Sequence, residues 1–248
     1  MKRTLNLIEA QKDNYSRSPL FEFMQDTEIH PIKRLAFAPC AAPFIMNFAD
    51  LCKYTLRQEP ANNKIQALLN QHTYEDDSHW QWFLEDLHQL GFNYLLSFND
   101  FLKFIWSEET RSSRFLSNEL YRHIVRSKSL EKWIILEVME TAADVFLSHT
   151  RAITKEIQSV TGREFKYFGN CHFNAETDHS AHSHDVSEFI ENINIAEEDL
   201  SENSVLVNTV FELFSQWNLS LLAYAQNYQV SKLVLQRPQQ RQKYEVVA

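Results

Sequence analysis

The chain has 248 residues, enough for one large domain or two small ones, and its 44% hydrophobic and 23% charged fractions are those of a globular protein with a full core. Thirty-three acidic against 24 basic residues give a formal charge of −9, and Lys and Arg gather only around Arg237 and Arg241, which argues against nucleic acid as a partner. Cys40, Cys52 and Cys171 lack zinc or redox spacing, Met1-Lys-Arg-Thr-Leu-Asn-Leu-Ile-Glu-Ala lacks a signal-peptide run, and no stretch reaches membrane-spanning length, so free thiols and a cytoplasmic protein without a membrane partner are expected.

Three glycines, and no proline between Pro60 and Pro238, point to an all-α chain, because tight β-turns lean on both residues and long helices need neither. In chain order, the periodicity predicts a first helix over residues 4–28, interrupted near Pro19, and a second over 31–57, bent or broken by Pro39 and Pro43. A third spans 62–90 and ends at Gly91; shorter ones follow near 98–106 and 112–126. A long helix from about 130 to 159 stops near Gly162, and the next covers 163–182. The acidic stretch 185–203 reads as a loop with a short helix around Phe189 and Ile190. The last long helix, 203–228, carries Val207, Val210, Leu213, Phe214, Trp217 and Leu221 at core spacing, and a polar, mobile tail follows from 237. No linker divides the chain, so 1–248 is expected to form a single helical bundle of about seven or more helices.

Function is written in His172-Phe-Asn-Ala-Glu176-Thr-Asp-His179. At about 100° per residue, Glu176 falls roughly 40° to one side of His172 and His179 roughly 20° to the other. Phe165, Phe168 and Gly169 extend this face, so ionisable groups continue a core-directed stripe, a costly arrangement unless they are paired or bind a metal. His72-Thr-Tyr-Glu75-Asp76-Asp-Ser-His79 repeats the theme, with both histidines on the stripe of Ile65, Leu68, Leu69 and Phe83. The third helix expected to contribute is the apolar segment holding Glu137, Glu140 and Asp144, which fall within about 60° of one another. Imidazoles and carboxylates on facing helices suit iron or manganese, while the absence of thiolates argues against an iron–sulfur cluster. Taken singly, each residue has a plainer reading. A lone core histidine is usually hydrogen-bonded, and Glu75, Asp76 and Asp77 alone would be a solvated face. His30, His88, His123 and His149 take that plain reading, His182 and His184 are expected to be exposed, and Trp80 and Trp82 to be packing residues.

These segments resemble those of the haem-oxygenase-like diiron oxidases and oxygenases, a superfamily that includes CADD-like and TenA-like proteins and pyrroloquinoline-quinone synthase. The resemblance covers roughly residues 30–228 at the level of fold and motif. It implies a haem-oxygenase-like bundle, two iron ions (manganese or a partly filled site being the variants), O2 as co-substrate, a small-molecule substrate and an external electron donor; it allows a homodimer. His79 matches the family's first-helix histidine, Glu137 or Glu140 its middle glutamate, and His172, Glu176 and His179 its late motif. The departure is His72, which stands seven before His79 where the family has a carboxylate. Either His72 is itself a ligand, or Glu75 or Asp76 takes over. Phe83, Phe165 and Phe168 are expected to line a dry substrate pocket. Two rival readings are a metal-free binding or accessory protein, and a cofactorless TenA-like hydrolase using a Cys and a Glu, for which none of the three cysteines lies in a matching motif.

Overall fold

The scarcity of glycine and proline is realised as helix: the computed structural model describes residues 1–93, 95–178 and 184–228 (176–178 by backbone alone), and no strand occurs among them. The elements are α1 (Lys2–Tyr15), α2 (Pro19–Gln25), α3 (Pro31–Arg34), α4 (Ala38–Leu51) continued by a π-turn (Cys52–Leu56), α5 (Lys64–Asp76) and α6 (Trp80–Gln89). They are followed by α7 (Phe98–Ile105), α8 (Arg111–Ile124), α9 (Ser129–Thr161), α10 (Asn170–Asp178), α11 (His184–Glu191) and α12 (Glu197–Asn227). No helix among the described residues is long and apolar enough to cross a membrane. The tail from 237 lies outside the described residues.

The axis of the bundle is α9, with α1, α2, α3, α5, α8, α10 and α12 packed around it. Its first half is buried on nearly every side (Trp133, Ile134, Ile135, Leu136, Val138, Met139), so any acid placed there enters the interior. Glu131 opens the helix by accepting the Lys128 backbone N–H at 2.6 Å, and Gly162 closes it in the left-handed region at φ 68°. No atom stands in the way of a Cβ at Gly162, so Gly162→Ala should cost only the left-handed backbone strain, about 1 kcal/mol by chemical denaturation.

Three boundaries differ from those the sequence predicts. The expected helix 62–90 is broken between α5 and α6. Asp77 and Ser78 are weak helix formers. Arg57 takes the last-turn carbonyl of Thr73 (2.8 Å), its hydroxyl (3.0 Å) and the Asp77 carboxylate (2.8 Å), fixing the chain as it leaves the helix. The segment 163–169 is not helical; buried Asp86 on α6 accepts the backbone N–H groups of Lys166 and Phe168, both at 2.8 Å, and holds a turn there. Gly169 is required in that turn, since a Cβ would meet the Phe165 carbonyl oxygen at 2.1 Å. Finally, much of the acidic stretch 185–203 is helix rather than loop. It contains α11 and the first turn of α12, where Glu197, Glu198 and Asp199 meet the positive end of the helix dipole.

Candidate metal centre

His72 and Asp76, one turn apart on α5, are both buried and face Glu140 on α9. His72 Nε2 lies 2.8 Å from Asp76 Oδ2 and 3.1 Å from Glu140 Oε1, and one ligand atom from each of the three falls within 4.8 Å of the others. Burial disfavours the His72 imidazolium, yet Glu140 and Asp76 together outweigh it and raise its pKa well above the usual value. His72 Nε2 thus stands between one buried and one half-buried carboxylate, a place a metal cation could also take.

His79 and His172 extend the cluster. His79 is buried at the start of α6, its Nδ1 3.7 Å from Asp76 Oδ1, and Trp82 stacks on it with ring centroids 4.5 Å apart. The His172 ring, on α10, is 4.6 Å from that of His79 and 4.5 Å from that of Tyr167. His172 Nδ1 lies 3.1 Å from the Tyr167 carbonyl, which can only accept, so Nδ1 carries a hydrogen. That carbonyl–imidazole contact is the arrangement that orients a metal-ligating histidine. The His172 backbone N–H also bonds Lys166 O at 3.0 Å, so the turn pinned by Asp86 places this histidine.

The structure brings together His72, Asp76, His79, Glu140 and His172 from the expected set. Glu75, half-buried on the flank of α5, and Glu137 are not among the three residues whose ligand atoms converge among the described residues. Burial raises the Glu137 carboxyl, with the Trp133 indole and the His72 charge opposing. The Glu176 side chain and His179, and likewise His182, lie outside the described residues. His184 is exposed, and His149 is spent on structure, bonding Val145 O (2.7 Å) and Gln25 (2.9 Å).

A narrow cavity of about 70 Å³ adjoins the cluster; Asp76, His79, Glu140 and His172 form its polar end, and aromatic side chains such as Phe44, Phe146 and Trp217 its wall. Phe83, Phe165 and Phe168, the expected lining, are buried but do not contribute to that wall; Phe83 and Phe168 pack against Tyr167, which does (5.4 and 5.2 Å). The non-helical turn 163–169 changes which face of this segment meets the cavity. Trp80, expected only to pack, also lines it. Cys52 is buried near the cluster, and burial, then Asp76 and Glu140, push its thiol well above the usual range; it is not among the three residues whose ligand atoms converge.

Asp86 is the functional residue that sequence reasoning missed. Burial pushes its carboxyl up to about 6 against the opposing N–H donors of Phe168 and Lys166. The signal was available: Asp86 lies on the stripe of Phe83 and Leu90, three residues after one and four before the other, where an acid must have a partner.

The fold and cluster define an all-helical protein with a buried imidazole–carboxylate site beside an apolar cavity. Comparison with known proteins finds no matching family model and no matching curated relative.

Proposed function

We propose that this chain is a haem-oxygenase-like non-haem dimetal enzyme, an oxidase or oxygenase of a small organic substrate. The observation that carries the reading is the convergence of buried His72 and Asp76 with half-buried Glu140, three donors from two helices, at the polar end of an apolar cavity. The donor set fits the group: mixed imidazole and carboxylate suits iron or manganese, and two adjacent carboxylates offset the repulsion of two cations. His72, Asp76 and Glu140 would hold metal, with His79 and His172 beside them; the motif adds Glu176 and His179. The family's carboxylate place, filled by His72 in the sequence, would be served by Asp76 one turn later.

Bound iron supplies electrons for O2 reduction, and an external reductant restores them. The residues themselves do the rest. Tyr167 and Asp86 orient His172, Trp82 fixes the His79 ring by stacking, and the aromatic wall keeps water from the reacting end of the substrate.

Chelator-stripped protein should take up Fe(II) or Mn(II) under anaerobic conditions and gain about 2.7 kcal/mol at a free metal concentration one hundred times Kd. Mg(II), which prefers oxygen and water, should give little. Protein that retains neither metal by elemental analysis, and whose melting is unmoved by both, would leave the metal-free binding module as the better reading. One feature favours that alternative: His72 Nε2 already stands within ion-pair distance of both carboxylates without a cation. The hydrolase reading draws no such support, since burial also pushes the Cys40 thiol up to about 12 and Cys171 does not line the cavity.

A further inference from the structure

A second concavity, away from the cluster, is an open groove of about 420 Å³, within the roughly 300–1,000 Å³ of pockets that seat a ligand. Pro39 and Ala42 of α4, Leu84 and Leu87 of α6, and Phe101 and Phe104 of α7 line it. Its α7 wall is amphipathic. Ser97 Oγ accepts the Asp100 backbone N–H at 3.2 Å and starts the helix, and Phe98, Phe101, Leu102 and Ile105 follow at i, i+3, i+4 and i+7, the stripe of a helix that packs on something. Yet α7 buries none of its residues; Phe98 is 74% exposed and Trp106, which ends the helix, 73%. Apolar surface gathered in this way marks an interaction site.

The nearest candidate to cover it is this chain itself. Tyr228, the residue after α12, sets its ring 5.8 Å from that of Phe92, which also lines the groove. From there the sequence continues as Gln229-Val-Ser-Lys-Leu-Val-Leu235, in which Val230, Leu233, Val234 and Leu235 are apolar. At roughly 3.3 Å per extended residue, the steps from Tyr228 to Leu233 can reach about 17 Å, more than the roughly 12 Å length of α7. Charge agrees with this occupant: Lys232, Arg237, Arg241 and Lys243 against Glu245 make 229–248 basic in a chain of formal charge −9. Burial pushes the Tyr224 phenol, one turn before Tyr228, up to about 12, and the fields of Cys40, Tyr228 and Glu109 add to it, so a carboxylate stands where this basic segment leaves α12. Tethering favours it further, since a short linker holds its own segment at roughly millimolar effective concentration, which a second copy or another protein must match in free solution.

We infer that the segment 230–235 of this chain seats its apolar side chains in the groove between α4, α6 and α7. The seat bears on the inner cavity as well, because two of its walls are shared. Phe44 and Phe48 of α4 and Trp80 of α6 line that cavity, and His79 stands at the start of α6.

Hydrogen exchange read by mass spectrometry on the full-length protein follows the segment and α7 together. Wild type should protect the α7 amides, and Leu233→Asp combined with Leu235→Asp should speed their exchange by at least about tenfold, at times when α9 is still unexchanged. Gln239→Asp combined with Gln240→Asp adds the same charge beyond the segment and should leave α7 as it is. From the groove side, Phe101→Asp should speed exchange within 229–236. An α7 unprotected in wild type, indifferent to the leucine changes, or loosened equally by the glutamine changes overturns the assignment. Protection that rises with protein concentration would put a second copy in the groove and overturn it too. No metal enters the measurement, so its outcome is independent of the dimetal reading.

Discussion

Glu140→Ala is expected to weaken Fe(II) or Mn(II) binding by more than about 100-fold, whereas Glu137→Ala should cost less than about 10-fold. Loss of an outer partner of a ligand typically costs 10–100-fold, so removal of a ligand must exceed that range. The contrast rests on position. Glu140 Oε1 meets His72 Nε2 at 3.1 Å, while Glu137, one turn earlier on α9, reaches His72 only through its field. His72→Glu completes the case. It would gather three carboxylates in a space that now holds one imidazolium and two carboxylates, so the metal-free variant should be less stable than wild type and recover when metal is added. Calorimetric titration and melting curves for the three variants check this. Equal affinities for Glu137→Ala and Glu140→Ala would remove Glu140 from the site.

The destabilisation caused by Asp86→Ala should be about 3 kcal/mol larger at pH 4 than at pH 7. The carboxyl titrates near about 6 in the fold against 3.8 in the open chain, so folding favours its protonated form. Its contribution is complete below about pH 4 and is lost as pH rises through about 6; a shift of roughly two units at 1.36 kcal/mol each sets the size. A gap between wild type and variant that widened from pH 4 to 7 would mean the Lys166 and Phe168 N–H groups outweigh burial, and the sign argued here would be wrong. The variant should also bind metal about 10-fold less tightly at pH 7, because the turn that Asp86 pins places His172.

The long helices were legible because α9 and α12 bury their apolar residues at the expected spacing and α9 ends on a left-handed glycine. The convergence of the two histidine segments was legible too, though not its local form. Periodicity carried His79 and His172 along unbroken helices; in the structure each stands at the beginning of a new helix, after a turn fixed by a distant side chain, Arg57 for one and Asp86 for the other. For such long-range hydrogen bonds a local pattern can show that a residue such as Asp86 needs a partner, but not which backbone groups supply it. The choice between Glu137 and Glu140 was hidden for a related reason. A helical wheel gives the angle between two residues but not how the helix is rotated against its neighbour, and the packing of α5 on α9 decides which carboxylate meets His72.

The break between α5 and α6 gives the site two jaws of unequal stiffness. His72 and Glu140 project from within helices, where several backbone bonds must open before a side chain moves, and Asp76 closes α5 beside them. His79 and His172 hang from helix beginnings, where a small rotation of one turn breaks few of them. The side of the cavity expected to yield first is therefore that of His79 and His172 rather than that of His72 and Glu140. The same asymmetry means that a molecule wedged against His79 would be felt next by Trp82, whose indole stacks on that ring.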